Sequence, residues 1–484
     1  MSNARGGGRL MMPNSIANRR SLPPATLGIA ATTFVIAGLG PNSLLAALAI
    51  GILLAGAYLL WRPGESPILL FIFCYQWLQS SIAIFQANWL GVGVIDLPSY
   101  GGNVQLAIVL SLLGLLVLAS GLRIGAGAWR LQDGALARVT ASQFPPQFWF
   151  HLYCTAFLIA ALAQSLTWVE PGLYQPLIAL ASLKWAFFWM LAYATFAQPG
   201  SNRIFLITAF TLELLLGLGG YFSDFKTPLI FTLLAAMTAG VRLSFARCLG
   251  LLSLGALALT LGIAWSAIKE DYRTFVSGGS KAQVVTVGYF DRLSTLAAMV
   301  QQLDSASMDE GWEKLLQRVA YVNFFGVVLD TVPDIVPHGG GALWGDAIMR
   351  PFMPRLFFPE KSAIDDSVRT NHYTGLNLPT AEEGTSISLG YMAESYIDFG
   401  IAGMMVPIFG LGLLLGRFYR WMLRGDAYRL LGMALATATI SVASFLESSI
   451  TKVIGGLAVA MLVSWIVLRI VPPCLGWIPN KMSR

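Results

Sequence analysis

Apolar runs long enough to cross the roughly 30 Å hydrocarbon core of a bilayer recur along this chain, and no other feature restricts its fold so severely. They fall near Ala25–Leu39, Ser43–Leu60, Ser66–Gln86, Val104–Leu122, Phe148–Ser165, Leu177–Phe196, Ile204–Tyr221, Leu229–Val241 and Leu249–Ala267, then near Ile401–Tyr419, Leu430–Leu446 and Val453–Ile470. Inside hydrocarbon every backbone N–H and C=O needs an internal partner, which a helix supplies. The expected fold is an all-α integral membrane protein with about 12 transmembrane helices. Composition agrees: 12% of the 484 residues are charged, against about 25% in soluble domains.

The connections alternate in charge. One set holds Arg62, Arg123, Arg130, Arg138, Arg203, Arg242, Arg247, Arg417, Arg420, Arg424 and Arg429, with Lys481 and Arg484 in the tail. The other set, at 40–42, 88–103, 170–176, 223–226 and 447–452, is nearly free of Arg and Lys. Basic residues stay cytoplasmic, which assigns the first set and both termini to the cytoplasm. One long polar stretch then faces the exported side. The organisation reads as a basic tail at 1–24, nine helices over 25–267, an extracytoplasmic loop domain at 268–398, three helices over 399–471 and a second tail at 472–484. Arg19-Arg20 precedes the first run, but no small-residue cleavage site follows, so residues 1–24 read as a disordered cytoplasmic tail.

The insert differs from its surroundings. From Lys269 to Asp398 it carries 17 Asp and Glu against 10 Lys and Arg, whereas the whole chain has 25 acids and 31 bases. Leu293, Leu296, Ala297 and Val300 make one apolar helical stripe. Leu315, Val319, Val322 and Phe325 predict a second, more apolar helix over 313–329 that could lie on the membrane surface. Pro333, Pro337, Pro351, Pro354, Pro359 and Pro379 then cut the chain into turns.

Several chemistries are excluded. Cys74, Cys154, Cys248 and Cys474 all lie outside the insert, which argues against a disulfide framework or an exported thiol nucleophile. Three histidines lack metal-ligand spacing, so no metal is expected. Gly339-Gly340-Gly341 is not followed by the Gly-Lys-Ser/Thr of a phosphate loop, and no Gly-x-Ser-x-Gly elbow occurs. No cofactor is expected, and no nucleic-acid partner, the latter because the net charge of +6 resides in short loops and tails.

Cations on the exported side run against the positive-inside bias and call for a reason. Lys226, Lys269, Arg273, Arg350, Arg355, Lys361 and Arg369 are such residues, and Arg and Lys suit phosphate oxygens. Their bland reading is pairing with nearby carboxylates. Glu394 and His372, with His338 and Asp398 behind them, are candidates to accept a proton, although a carboxylate at a helix mouth is more often a cap or an ion-pair partner. Lys184 and Glu213 lie within apolar runs and are expected to pair between neighbouring helices, with a proton or substrate path as the alternative. Gly412 and Gly416 have the small-xxx-small spacing of close helix packing.

Four pieces of the chain together resemble a known family. They are Gly220–Pro228 (Gly-Tyr-Phe-Ser-x-Phe-Lys-x-Pro), Lys269–Arg273 after a span, Met353–Lys361 (Pro-Arg-x-x-Phe-Pro-x-Lys within it) and Ser386–Gly403 (Gly-Tyr-x-x-Glu-x-Tyr-x-x-Phe-Gly-x-x-Gly). Asp330-Thr331-Val332-Pro333-Asp334 and Pro337-His338-Gly339-Gly340 add to the likeness, which covers about 205–420. The chain resembles the Wzy-type oligosaccharide repeat-unit polymerases of O-antigen and exopolysaccharide assembly. The resemblance implies a metal-independent glycosyltransferase of the bacterial inner membrane. Its substrate would be an undecaprenyl-diphosphate-linked oligosaccharide, and a chain-length regulator and a flippase would be partners. Arg273, Arg355, Lys361, Arg369 and Lys226 would hold the diphosphate, and Glu394 or His372 would take the acceptor proton. An O-antigen ligase and a lipid-linked oligosaccharide flippase or exporter remain alternatives.

Overall fold

The computed structural model describes residues 40–474 apart from 98–100, 129–131, 199, 219–224, 242–243, 280–284, 363, 381–384 and 425–427. The basic tail and the first expected span, Ala25–Leu39, lie outside the described residues, as do 475–484 and most of the Gly220–Pro228 turn. Among the described residues every regular element is helical. In chain order they are α1 Ser43–Leu60, α2 Ile68–Leu90, α3 Val104–Ala126, α4 Gln132–Ser142, α5 Pro146–Val169, α6 Tyr174–Ser182 and α7 Lys184–Ala197. Next come α8 Ile204–Leu218, α9 Lys226–Thr238, α10 Phe245–Val276, α11 Tyr289–Gln301, α12 Ser305–Val319 and α13 Val322–Thr331. The last are α14 Ala342–Met349, α15 Asp366–Thr374, α16 Tyr391–Gly403, α17 Met405–Met422, α18 Arg429–Ile440 and α19 Ile450–Cys474.

Among the described residues seven helices are long and apolar enough to cross a membrane: α1, α2, α3, α5, α6 with α7, α10 and α19. The pair α16–α17 makes an eighth if taken as one span, bent by 116°. Gly400, at φ +67°, supplies the bend, a backbone conformation that side-chain-bearing residues rarely adopt. Three expected spans carry shorter helices among the described residues: α8 has 15 residues, α9 13 and α18 12. At 1.5 Å per residue these helices reach about 18–23 Å.

The tightest seam joins α3 to α17. A Cβ on Gly121 would lie 2.4 Å from the Phe409 carbonyl oxygen, one on Gly125 2.5 Å from that of Leu413. Reciprocally, Gly412 and Gly416 would each put a Cβ 2.4 Å from a carbonyl oxygen, of Leu118 and Leu122. Four glycines thus let two backbones touch, as the small-residue spacing predicted.

The two ends of the bundle differ. At one, Arg62 pairs with Glu65 at 2.6 Å and donates to the Gly127 carbonyl at 3.0 Å, while the Tyr419 hydroxyl donates to Glu65 at 3.1 Å. Arg138 donates to the Ala239 carbonyl at 2.9 Å. The Arg-rich connections therefore meet one another. At the opposite end Asn42 bonds Asn88 at 3.0 Å, and Asn103 N–H donates to the Gly326 carbonyl at 3.0 Å. The insert packs over this Arg-poor end.

Within the insert, α11 forms where the apolar stripe predicted it, and Leu296 packs on Tyr272 and Val276 of α10. The helix expected over 313–329 is instead two. Ala320, with ψ +58°, ends α12, and α13 is embedded, its Val322, Phe324, Phe325 and Val328 buried. The reason is a glycine contact: Gly102 lies against the Gly326–Val327 backbone and draws α13 onto α3. It is held inside the protein and does not lie on a membrane surface.

Candidate functional site

The sequence that builds the site is Gly390-Tyr391 followed by α16. Gly390, at φ +84°, lets the chain pass the Leu446 carbonyl, where a Cβ would sit at 2.5 Å. Tyr391 N–H donates to the Ser448 carbonyl at 2.9 Å. These contacts join the start of α16 to the irregular segment 441–449 between α18 and α19. The Tyr391 hydroxyl donates to Gln76 Oε1 at 2.6 Å, and Gln76 Nε2 donates to the Ala443 carbonyl at 2.7 Å. Gln79 accepts from Leu446 N–H at 2.9 Å and donates to the Glu447 carboxylate. Irregular backbone deep in a membrane protein persists only where protein satisfies it, and the two glutamines of α2 do so here.

Glu394, one helical turn further, is fully buried. Its Oε1 accepts from Arg369 Nη1 at 2.8 Å and its Oε2 from the Ile450 amide at 2.5 Å, the first N–H of α19. Negative charge at a helix N-terminus is favourable. Arg369 also reaches Thr451 Oγ1 at 3.4 Å and lies 3.9 Å from Asp346. Burial opposes the Arg369 charge, but Glu394, Asp366 and Asp346 outweigh it and raise its pKa. Beside this pair, Lys452 stands 2.7 Å from the buried Asp366. The Tyr321 hydroxyl, which donates to the Ser388 carbonyl, is held protonated well above its usual range by burial and then by the Glu447, Asp366 and Glu394 carboxylates.

The site is sunk into the bundle. Met392 touches Gly114 of α3, ten residues past the start of that helix, or about 15 Å below its insert-side end. The short helix α15 carries Arg369 there. Asp365 caps it, accepting from Ser367 N–H at 3.0 Å, and Thr370 donates to the Ile387 carbonyl at 2.7 Å.

Of the residues singled out in the sequence, Arg369 and Glu394 come together. His372 is exposed on the same helix, with Tyr373 against its ring. Lys361 donates to the carbonyls of Arg350 and Met353 at 2.7 and 2.9 Å, clamping that turn. Burial, then Arg350 and Arg355, lower its pKa. Arg355 is exposed on the same loop. Lys226 lies over the Phe445 ring at 4.9 Å, and Arg273 sits near the end of α10.

Asp398 takes a structural place, accepting from Leu343 and Trp344 N–H at 3.2 and 2.9 Å at the start of α14. Gly339 leaves room for it, and His338 Nδ1 meets the Ile397 carbonyl at 3.1 Å. Elsewhere Lys184 and Glu213 do pair, at 2.6 Å, with the Tyr153 hydroxyl on Glu213 at 2.9 Å. Sequence reasoning missed Gln76, Gln79, Tyr321 and Lys452. The signal for the first two was their spacing of three on one face of an apolar helix.

No curated protein and no solved structure matches the chain. A family profile does match residues 107–440, well over half the chain, and the protein therefore belongs to the family described as a domain of unknown function, DUF8712.

Proposed function

We propose that this protein polymerises undecaprenyl-diphosphate-linked oligosaccharide repeat units at the outer face of a bacterial inner membrane. In this reading about 12 helices span the membrane, both termini are cytoplasmic and the insert is exported. The observation that carries the proposal is the Arg369–Glu394 pair: a buried carboxylate and a guanidinium 2.8 Å apart, packed on a helix N-terminus and overlain by the insert.

An acceptor sugar hydroxyl attacks the anomeric carbon of the donor, the bond from that carbon to the diphosphate oxygen breaks, and the lipid diphosphate departs as an anion. Glu394 takes the hydroxyl proton. Arg369 neutralises the leaving group, and its fork suits phosphate as well as carboxylate. The two roles are coupled, because a diphosphate that draws Arg369 away also frees Glu394 to act as base. His372 is the second candidate base. Arg355, Lys226, Arg273 and Lys361 would supply positive potential on the approach. A single displacement inverts the anomeric centre. Purified protein, lipid-diphosphate oligosaccharide and no nucleotide should yield a ladder of polymers, and Arg369→Ala should yield none. Single repeat units left unchanged by the native protein would refute the proposal.

One observation favours a second reading, a flippase or exporter. The broken pair α16–α17 meets the irregular segment before α19 well inside the bundle, and carriers bind anionic groups at such half-helix N-termini. Transfer of the intact glycolipid between leaflets of a liposome, without polymer, would select it.

A further inference from the structure

The loop after α14 exposes an apolar surface that the proposed chemistry does not use. Ile348, Met349, Phe352, Leu356, Phe357 and Phe358 are all exposed, Phe352 and Phe357 at 73%. Those two rings alone leave on the order of 300 Å² of apolar surface open, already the size of the largest patch on a typical soluble monomer. The loop is held in shape. Lys361 bridges the carbonyls of Arg350 and Met353, and Arg350 is fixed by Asp346 at 2.8 Å and by the Ser362 carbonyl at 3.2 Å. A fixed turn that presents aromatic side chains outward is built to meet something apolar.

Its place in the fold says what. Helix α14 and the Arg350–Phe352 turn pack on α19, and Leu356 lies 3.8 Å from the Cβ position of Gly172, in the turn from α5 to α6. Both α19 and α5 are long and apolar enough to cross a membrane. Next to that turn, Leu166 and Val169 of α5 and Tyr174 of α6 are exposed. The apolar face of the loop therefore continues the face these helices turn to hydrocarbon, at their insert-side end. Arg355, exposed between Phe352 and Phe357, sets a cation beside the rings, the arrangement by which interfacial segments bury rings and keep cations among headgroups.

We infer that residues 348–358 form an interfacial anchor, inserted among the acyl chains of the leaflet on the insert side, which pins the insert against the bilayer above the Arg369–Glu394 site. The anchor is independent of which glycolipid reaction the site performs.

The test uses the full chain in phospholipid nanodiscs. In a chain whose native Cys74, Cys154, Cys248 and Cys474 are replaced by Ala, Phe357→Cys is labelled with an environment-sensitive fluorophore. Lipids carrying a spin label on the acyl chain should quench most of the emission, and aqueous iodide should quench little. Iodide quenching with no effect of the spin-labelled lipid would overturn the inference. A photoreactive amino acid placed at Phe357 by stop-codon suppression needs no cysteine replacement. Adducts with phospholipid are expected, and adducts with protein or water alone would overturn the inference as well.

Discussion

Removing Arg369 tests whether its pair with Glu394 is a structural tie or part of the chemistry. The Glu394 side chain is 0% exposed and that of Arg369 18%. Deleting one partner of a buried ion pair costs about 3–5 kcal/mol, because the other charge is left without solvent or counterion. Two features place Arg369→Met near 3 kcal/mol, at the lower end: the Ile450 amide still caps Oε2, and the partial exposure of Arg369 admits water. Glu394→Gln keeps the size and an acceptor for Ile450. It leaves a guanidinium near Thr451 and Asp346, so the expected cost is about 2 kcal/mol.

The double variant should recover about 1–3 kcal/mol of the summed loss, the usual coupling between contacting residues. Unfolding in mixed micelles titrated with a denaturing detergent, followed by circular dichroism, measures all four corners of the cycle. Polymer formation is the second readout: stability should return in the double variant, and activity should not. Additivity within about 0.5 kcal/mol would show that the residues do not interact and would refute the geometry. A stable double variant that still polymerises would leave the pair intact as a tie and remove it from the mechanism.

Gly412→Val should cost more than about 2 kcal/mol, because its Cβ would meet the Leu118 carbonyl at 2.4 Å and backbones cannot yield as side chains do. Gly410→Val, with nothing within 4 Å of the Cβ position, should be near neutral; equal losses of monodisperse protein on size exclusion would contradict the seam. For orientation, in the chain with its native cysteines replaced, Asp334→Cys should react with a membrane-impermeant maleimide in intact spheroplasts, and Arg424→Cys only after permeabilisation. The reverse pattern would place the insert in the cytosol.

How much of this was legible in the sequence depends on what each signal measures. Hydropathy reports which solvent a segment prefers, so the long helices α1, α2, α3, α5 and α19 formed within a few residues of their apolar runs, while α10 continues nine residues past its run into the polar insert. It is blind to direction. Composition does not mark where a helix breaks within an apolar run, so 430–446 read as continuous although α18 ends at Ile440 and the chain turns irregular. The breaks rest on small local causes: Gly400 at positive φ, Gly390 passing the Leu446 carbonyl, and Ser441–Ala443 tightening into a 3-10 turn. Charge was legible where it was costly. Lys184 with Glu213 drew notice because an ionised group in an apolar setting needs a partner, Arg369 because it is a cation on the exported side and Glu394 because a carboxylate at a helix mouth can take a proton; that the last two meet was not legible.

Neutral polar groups carry no such flag. Gln76 and Gln79 cost little in a hydropathy average, yet each satisfies backbone of the 441–449 segment that would otherwise be orphaned. Glu394 receives the first amide of α19 only because that segment is held in place there. The site therefore owes its depth to two glutamines. A chain with the same charges and apolar residues at both positions would have to lift the segment towards water, and the carboxylate would lose its place on the helix N-terminus.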